Sequence, residues 1–170
     1  MILLSFDTEE FDVPREHGVD FSLEEGMKVS VVGTNRILDC LKENGVKATF
    51  FCTSNFAQNA PEVVKRIMNE GHEVACHGCD HWQPKATDVF RSKEIIEQQT
   101  GLTINGYRQP RMFPVSDEDI EKAGYRYNSS LPVYRMREMV WLAHSFRGRP
   151  DRCREYRGSA ERRQHIPRYI

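Results

Sequence analysis

No stretch of this sequence is both long and apolar enough to cross a bilayer, so a protein built on spanning helices is set aside. The opening residues, "MILLSFDTEE", have no basic cluster and meet acid at position seven. They do not read as a secretory leader, and a cytoplasmic location is expected. Cysteine is sparse: Cys40, Cys52, Cys76, Cys79 and Cys153 make an odd five, scattered along the chain. That argues against a disulfide framework and fits a reducing compartment. Net charge is almost absent, at −1 over 170 residues, so the whole chain shows no general attraction to nucleic acid. Internal repeats are missing too. The length allows one domain with its own core.

One absence is local. Residues 135–170 contain no lysine; they hold ten Arg against four acids, for +6, whereas residues 1–134 hold seven Arg, seven Lys and 21 acids, for −7. The boundary separates a main domain, 1–134, from an Arg-rich tail, 135–170. The tail reads as a solvated basic segment, as an arm for nucleic acid or an acidic partner, or as an atypical or truncated end of the fold. Its Arg residues are not regularly interleaved with aromatics, which favours the first and third readings.

Strand and helix signals alternate along the main domain. "ILLSF" (2–6) reads as a buried strand leading to Asp7, and 11–30 as a long loop without periodicity. A helix is expected from Thr34, with Ile37, Leu38 and Leu41 on one stripe and Gly45 as its stop. "KATFFCT" (47–53), "HEVAC" (72–76), "TINGYR" (103–108) and "YRYNSSL" (125–131) read as strands. Helices are expected over 60–71, 88–99 and 116–124, the last capped by Ser116. Continuous apolar strands alternating with helices predict a parallel α/β sheet or barrel. In such folds the strands' carboxyl ends face the active site. Asp7, His77 and Arg108 all fall there.

The densest chemistry is "CHGCDH" (76–81). His77 and His81 are four residues apart, and one helical turn would put both imidazoles on one face, as two-point metal ligation requires. A polar loop is the plainer alternative. Cys76 and Cys79 form a Cys-x2-Cys pair, but no second pair completes a structural zinc site, and strand alternation turns Cys76 away from His77. Cys76 then reads as a small buried residue, while Cys79 stays open. "SFDTEE" offers carboxylates at 7, 9 and 10. Two imidazoles and a carboxylate hold zinc with one position left for water, and a separate carboxylate can take that water's proton. An ordinary acidic loop would look the same.

"SFD", "VKATFF", "APEVVKRIMNEGHEVACHGCDH" and "GYRQP" follow one another in an order and spacing that resemble the polysaccharide deacetylase family (NodB-homology, carbohydrate esterase family 4). The resemblance covers roughly residues 2–131. It implies a distorted, TIM-like (β/α) barrel of the NodB type, here expected to be incomplete at its C-terminal end. It also implies a metal-dependent hydrolase, with Zn²⁺ as the expected divalent metal, that removes N-acetyl groups from an amino-sugar polymer. Carried over, Asp7 resembles the general base, His77 and His81 the metal-binding histidines, and Arg108, with Pro110, the motif whose arginine orients the base.

Most members follow the base with a second aspartate as a ligand, where this chain has Thr8. "Asp7-Thr8-Glu9" resembles the Asp-x-Asp spacing of a branch containing peptidoglycan deacetylase-like proteins and cofactor-free allantoinases, which makes Glu9 the candidate third ligand. Trp82, beside the second histidine, and Pro110 are the candidate substrate contacts. Arg111 stands where an aromatic is usual. "Leu142-Ala143-His144" matches the Leu-x-His of the general acid, but it follows Pro110 too closely and is set aside. The expected partner is an N-acetylated carbohydrate, with no nucleic acid, no membrane and a homo-oligomer left open. The alternatives are a cofactor-free allantoinase-like amidohydrolase, a non-catalytic deacetylase-like remnant and a nucleic-acid binder acting through the tail.

Overall fold

The computed structural model of the chain describes residues 3–112 and 115–130. The Arg-rich tail and the Leu-x-His triplet lie outside them. Five strands form one sheet: β1 (Ser5–Thr8), β2 (Thr49–Cys52), β3 (Glu73–Cys76), β4 (Gly106–Tyr107) and β5 (Tyr127–Asn128). Their order is sequential, β1-β2-β3-β4-β5, and each neighbouring pair is parallel. Parallel neighbours need crossovers, and helices supply them. α1 (Val13–Glu16) and α2 (Leu23–Glu43) join β1 to β2, and α3 (Ser54–Asn59) with α4 (Pro61–Asn69) joins β2 to β3. α5 (Asp88–Thr100) follows β3, and α6 (Asp117–Lys122) follows β4 after a 3-10 turn at Pro110–Met112. This is the mixed α/β architecture expected from the strand–helix alternation, laid out like the wall of a (β/α) barrel.

The two faces of the sheet divide the work. Phe50, Cys52, Val74, Cys76 and Tyr107 join one core with Leu38 and Leu41 of α2, Phe56 of α3, Val64 and Ile67 of α4, Ile96 of α5 and Ile120 of α6. Each fully buried side chain of this size contributes about 1.5–3 kcal/mol relative to exposure. The intervening residues face the other way. Asp7 is in register with Phe51, and Phe51 with Ala75, so Asp7 stands on the face opposite the helix-packed core.

Several expected boundaries are corrected. The 11–30 segment is not a loop: α1 lies within it and α2 starts eleven residues ahead of Thr34. The cause is a capping box. Ser22 Oγ accepts from the Glu25 N–H at 3.2 Å, and Glu25 Oε2 accepts from the Ser22 N–H at 2.8 Å. The Ser-x-x-Glu pattern was present in "SLEE", but Gly26, Gly33 and the valines masked the helical period. β1 is offset from 2–6, and Leu3 and Leu4 are exposed, because the register with β2 begins only at Ser5. α3 was not foreseen; Thr53 caps it, its Oγ1 accepting from the Phe56 N–H at 3.0 Å. β4 and β5 are two residues each, much shorter than their apolar runs.

The loop after β1 is seated directly on α2. A Cβ placed on Gly26 would lie 2.5 Å from the carbonyl oxygen of Phe11. Backbone cannot swing aside as a side-chain tip can, so Gly26→Ala is expected to cost about 1–3 kcal/mol in urea unfolding. An unchanged midpoint would show that the loop is not pinned there.

Candidate metal centre and catalytic dyad

β3 ends at Cys76, and the backbone of His77 prolongs the ladder, its N–H donating to the Cys52 carbonyl at 2.7 Å. The imidazole is 2% exposed. The chain then turns through Gly78 (φ 70°) instead of forming a helical turn, so the expected route to paired imidazoles is corrected. The carbonyls of Gly78 and Cys79 accept from the first N–H groups of α3, those of Ser54 and Asn55, both at 3.0 Å. These donors have no partner inside their own helix, and the loop satisfies them. Bends at 81–83 bring His81 back beside His77, with ring centroids 5.9 Å apart.

Both rings are oriented through Nδ1. That of His77 lies 2.8 Å from the Arg108 carbonyl, and that of His81 lies 2.8 Å from Asp12 Oδ2. Those oxygens accept, so each Nδ1 carries a proton, and each ring turns its Nε2 inward. Glu9 faces both: Oε2 is 3.1 Å from His77 Nε2, and Oε1 is 3.5 Å from His81 Nε2. Glu9 Oε2 is buried and accepts no hydrogen bond from the described residues. One ligand atom from each of the three residues falls within a mutual 4.8 Å. Two ligand atoms on one tetrahedral zinc lie about 3.4 Å apart, given bonds near 2.1 Å. The observed spacings bracket that value, so the donor set fits a small divalent cation. Thr8 is not part of it: it is buried and bonds to Cys52 on the helix-packed side.

Asp7 and Arg108 meet beside this cluster. Arg108 Nη1 donates to Asp7 Oδ1 at 2.6 Å, while Nη2 reaches Ser5 Oγ and Ser129 Oγ, each at 2.9 Å. The guanidinium also lies 4.0 Å over the Phe51 ring. The second oxygen, Asp7 Oδ2, faces His77 Nε2 at 3.9 Å. The cysteines play a different part. Burial pushes the Cys76 thiol up to about 12 and raises that of Cys79, so neither is a ready thiolate and a redox pair is not supported.

The family profile described as polysaccharide deacetylase matches residues 12–127, well over half of the chain. The chain belongs to the polysaccharide deacetylase family. His77, His81, Arg108 and Pro110 lie inside the matched span; Asp7 and Glu9 precede it, and geometry alone joins them to the site. Among relatives, a peptidoglycan deacetylase from Helicobacter pylori is 30% identical over 64% of this chain and 40% of its own length. The peptidoglycan-N-acetylmuramic acid deacetylase PdaA of Bacillus subtilis is 40% identical over 55% of this chain and 39% of its own. The structure of PuuE allantoinase superposes with a TM-score of 0.60 at 20% identity, covering 75% of this chain and 52% of that one, a likeness of fold alone. The chain spans about 40% of the length of the two deacetylases. No described helix is long and apolar enough to cross a membrane.

Within this deacetylase fold the remaining candidates are placed as follows. Pro110 is buried, and it packs so closely on Gly78 that a Cβ there would lie 2.8 Å from its Cγ. Trp82 is partly buried, its N–H donating to Asp80 Oδ1 at 2.7 Å. Sequence reasoning gave Glu10 no role and missed Asp12. Glu10, 4% exposed, accepts from Thr53 Oγ1 at 2.8 Å, Asn55 Nδ2 at 3.1 Å and the His81 N–H at 3.3 Å. It ties the loop after β1 to the start of α3 and to the second histidine. Its one signal was the alternation of acids at 10 and 12 around Phe11, with the acids inside and the aromatic outside.

Gly78 is held both by its backbone and by its neighbour. Gly78→Ala is expected to lose about 2–4 kcal/mol in urea unfolding, from a left-handed alanine plus the collision with Pro110. Gly18→Ala, with a similar φ of 74° and open space around it, supplies the comparison and should lose only about 1–2 kcal/mol. Equal losses would show that Pro110 does not confine the loop.

Proposed function

We propose that this chain is a hydrolase that removes N-acetyl groups from an amino-sugar polymer, using a divalent cation, Zn²⁺ as first candidate, held by Glu9, His77 and His81. One observation carries the reading: the buried Oε2 of Glu9, which accepts no hydrogen bond among the described residues, faces Nε2 of His77 at 3.1 Å. With the ring neutral, as a metal ligand must be, this sets acceptor against acceptor, and a cation between them removes that cost. When bound, such a cation acidifies a water and polarises a carbonyl.

Asp7 is the base. Its Oδ1 is engaged by Arg108, so Oδ2 is the oxygen that takes the proton from the attacking water. The charge-assisted bond from Arg108 aims the carboxylate, and the contacts from Ser5, Ser129 and Phe51 hold Arg108. Hydrolysis breaks the C–N bond and leaves acetate and a free amine. A backbone N–H aimed at the developing oxyanion would add about 3 kcal/mol. Trp82 offers an apolar ring on which a sugar can lie. The two deacetylase relatives support a cell-wall glycan as the substrate class.

The test is acetate release from N-acetylglucosamine oligomers and from peptidoglycan, before and after chelation. Release that stops on chelation and returns with Zn²⁺ is expected. Asp7→Asn should lower the rate about 10²–10⁴-fold. Release that survives complete metal removal would overturn the cation and favour the allantoinase-like alternative, and an active Asp7→Asn variant would remove Asp7 as the base.

A further inference from the structure

His77 and His81 are held in different ways. His77 continues a strand ladder, and its Nδ1 meets a backbone carbonyl at the foot of the next strand. His81 lies in a bend with no ladder, and its Nδ1 meets a side chain, Asp12, which itself stands in the loop after β1. A carboxylate on a loop fixes a ring only if something fixes the carboxylate. Asp12 has a 5% exposed side chain, and Glu16 adds a second negative charge close by. The cation that meets both is Arg111.

Arg111 Nη2 reaches Asp12 Oδ2 at 3.3 Å and Glu16 Oε1 at 2.7 Å, while Nε donates to the His81 carbonyl at 3.1 Å. Its guanidinium carbon lies 5.5 Å from the centre of the Trp82 ring. One side chain thus grips the backbone of His81 and the carboxylate that orients its ring. The backbone shows how strongly this grip is specified: with φ at 56°, Arg111 is the only non-glycine with positive φ among the described residues. A non-glycine residue rarely sits there unless its surroundings hold it.

We propose that Arg111 is a positioning residue for the metal centre, aligning His81 through Asp12. The inference rests on the cation site proposed above. It gives α1 and the loop before it a role, because they bring Asp12 and Glu16 to Arg111. Loss of the guanidinium leaves Asp12 a buried carboxylate without its cation, and the His81 ring loses its fixed partner. Outer partners of this kind are worth about 10–100-fold in metal affinity.

The experiment measures Zn²⁺ affinity on the full 170-residue chain by competition with a chromophoric chelator. Arg111→Gly is the main variant, because glycine keeps the left-handed backbone and removes only the side chain. The expected result is Zn²⁺ binding about 10–100-fold weaker at unchanged stoichiometry, with cooperative unfolding retained. Arg111→Lys keeps the charge but not the forked reach, and should recover part of the loss.

A second readout is the ¹⁵N shifts of the His81 ring in the metal-free protein. The parent should show one form protonated at Nδ1, and Arg111→Gly a mixture of forms. Affinity within twofold of the parent together with an unchanged His81 ring signal would overturn the proposal. If Arg111→Gly fails to fold, the same limits apply to Arg111→Lys. A parent chain that binds no Zn²⁺ would sink the cation reading instead, and the ring signals would still decide whether Arg111 sets the imidazole.

Discussion

Two imidazole nitrogens and a carboxylate turned toward one another in a largely enclosed place are the constraint around which this structure is arranged. Nε2 of His77, Nε2 of His81 and the carboxylate of Glu9 converge, with one Glu9 oxygen finding no donor among the described residues. Each imidazole is committed to this arrangement because its Nδ1 proton is already given to a fixed oxygen. Such a cluster is unfavourable by itself and becomes favourable around a positive ion. The chemistry proposed for the chain follows from that inversion, with Asp7 standing beside the three residues and Arg108 holding it there.

The fold supplies the convergence with few moving parts. Parallel strands in sequential order bring the carboxyl ends of β1, β3 and β4 to the same end of the sheet, so three distant stretches of chain deliver two acids, two histidines and an arginine side by side. The loops are then locked to helices. Phe11 sits on Gly26, Glu10 holds the start of α3, and the carbonyls after His77 cap the same helix. Glu10 and Thr53 are buried and satisfy each other, which holds these loops in place.

Much of the site was legible in the sequence. Asp7, His77 and Arg108 stood out at strand exits, the family resemblance added Glu9 and the roles, His81 came from its spacing to His77, and the structure brings all five together. The way the imidazoles meet was not legible. A four-residue spacing suggests a helical turn, yet the turn is set by Gly78, Pro110 and the donors of α3, which are tertiary partners that no local pattern reveals. The structural parts of Glu10 and Asp12 were not legible, because buried acids flanking an exposed phenylalanine invert the usual pattern. The start of α2 was written in Ser22 and Glu25, but two glycines and several β-branched residues hid the period that a helix normally displays.

The most direct measurement is diffraction from Zn²⁺-loaded crystals at the zinc absorption edge. The expected result is one anomalous peak within about 2.0–2.2 Å of His77 Nε2, His81 Nε2 and a Glu9 oxygen, with Asp7 outside bonding distance. No peak among those three residues, or a peak ligated elsewhere with the imidazoles turned away, would contradict the account.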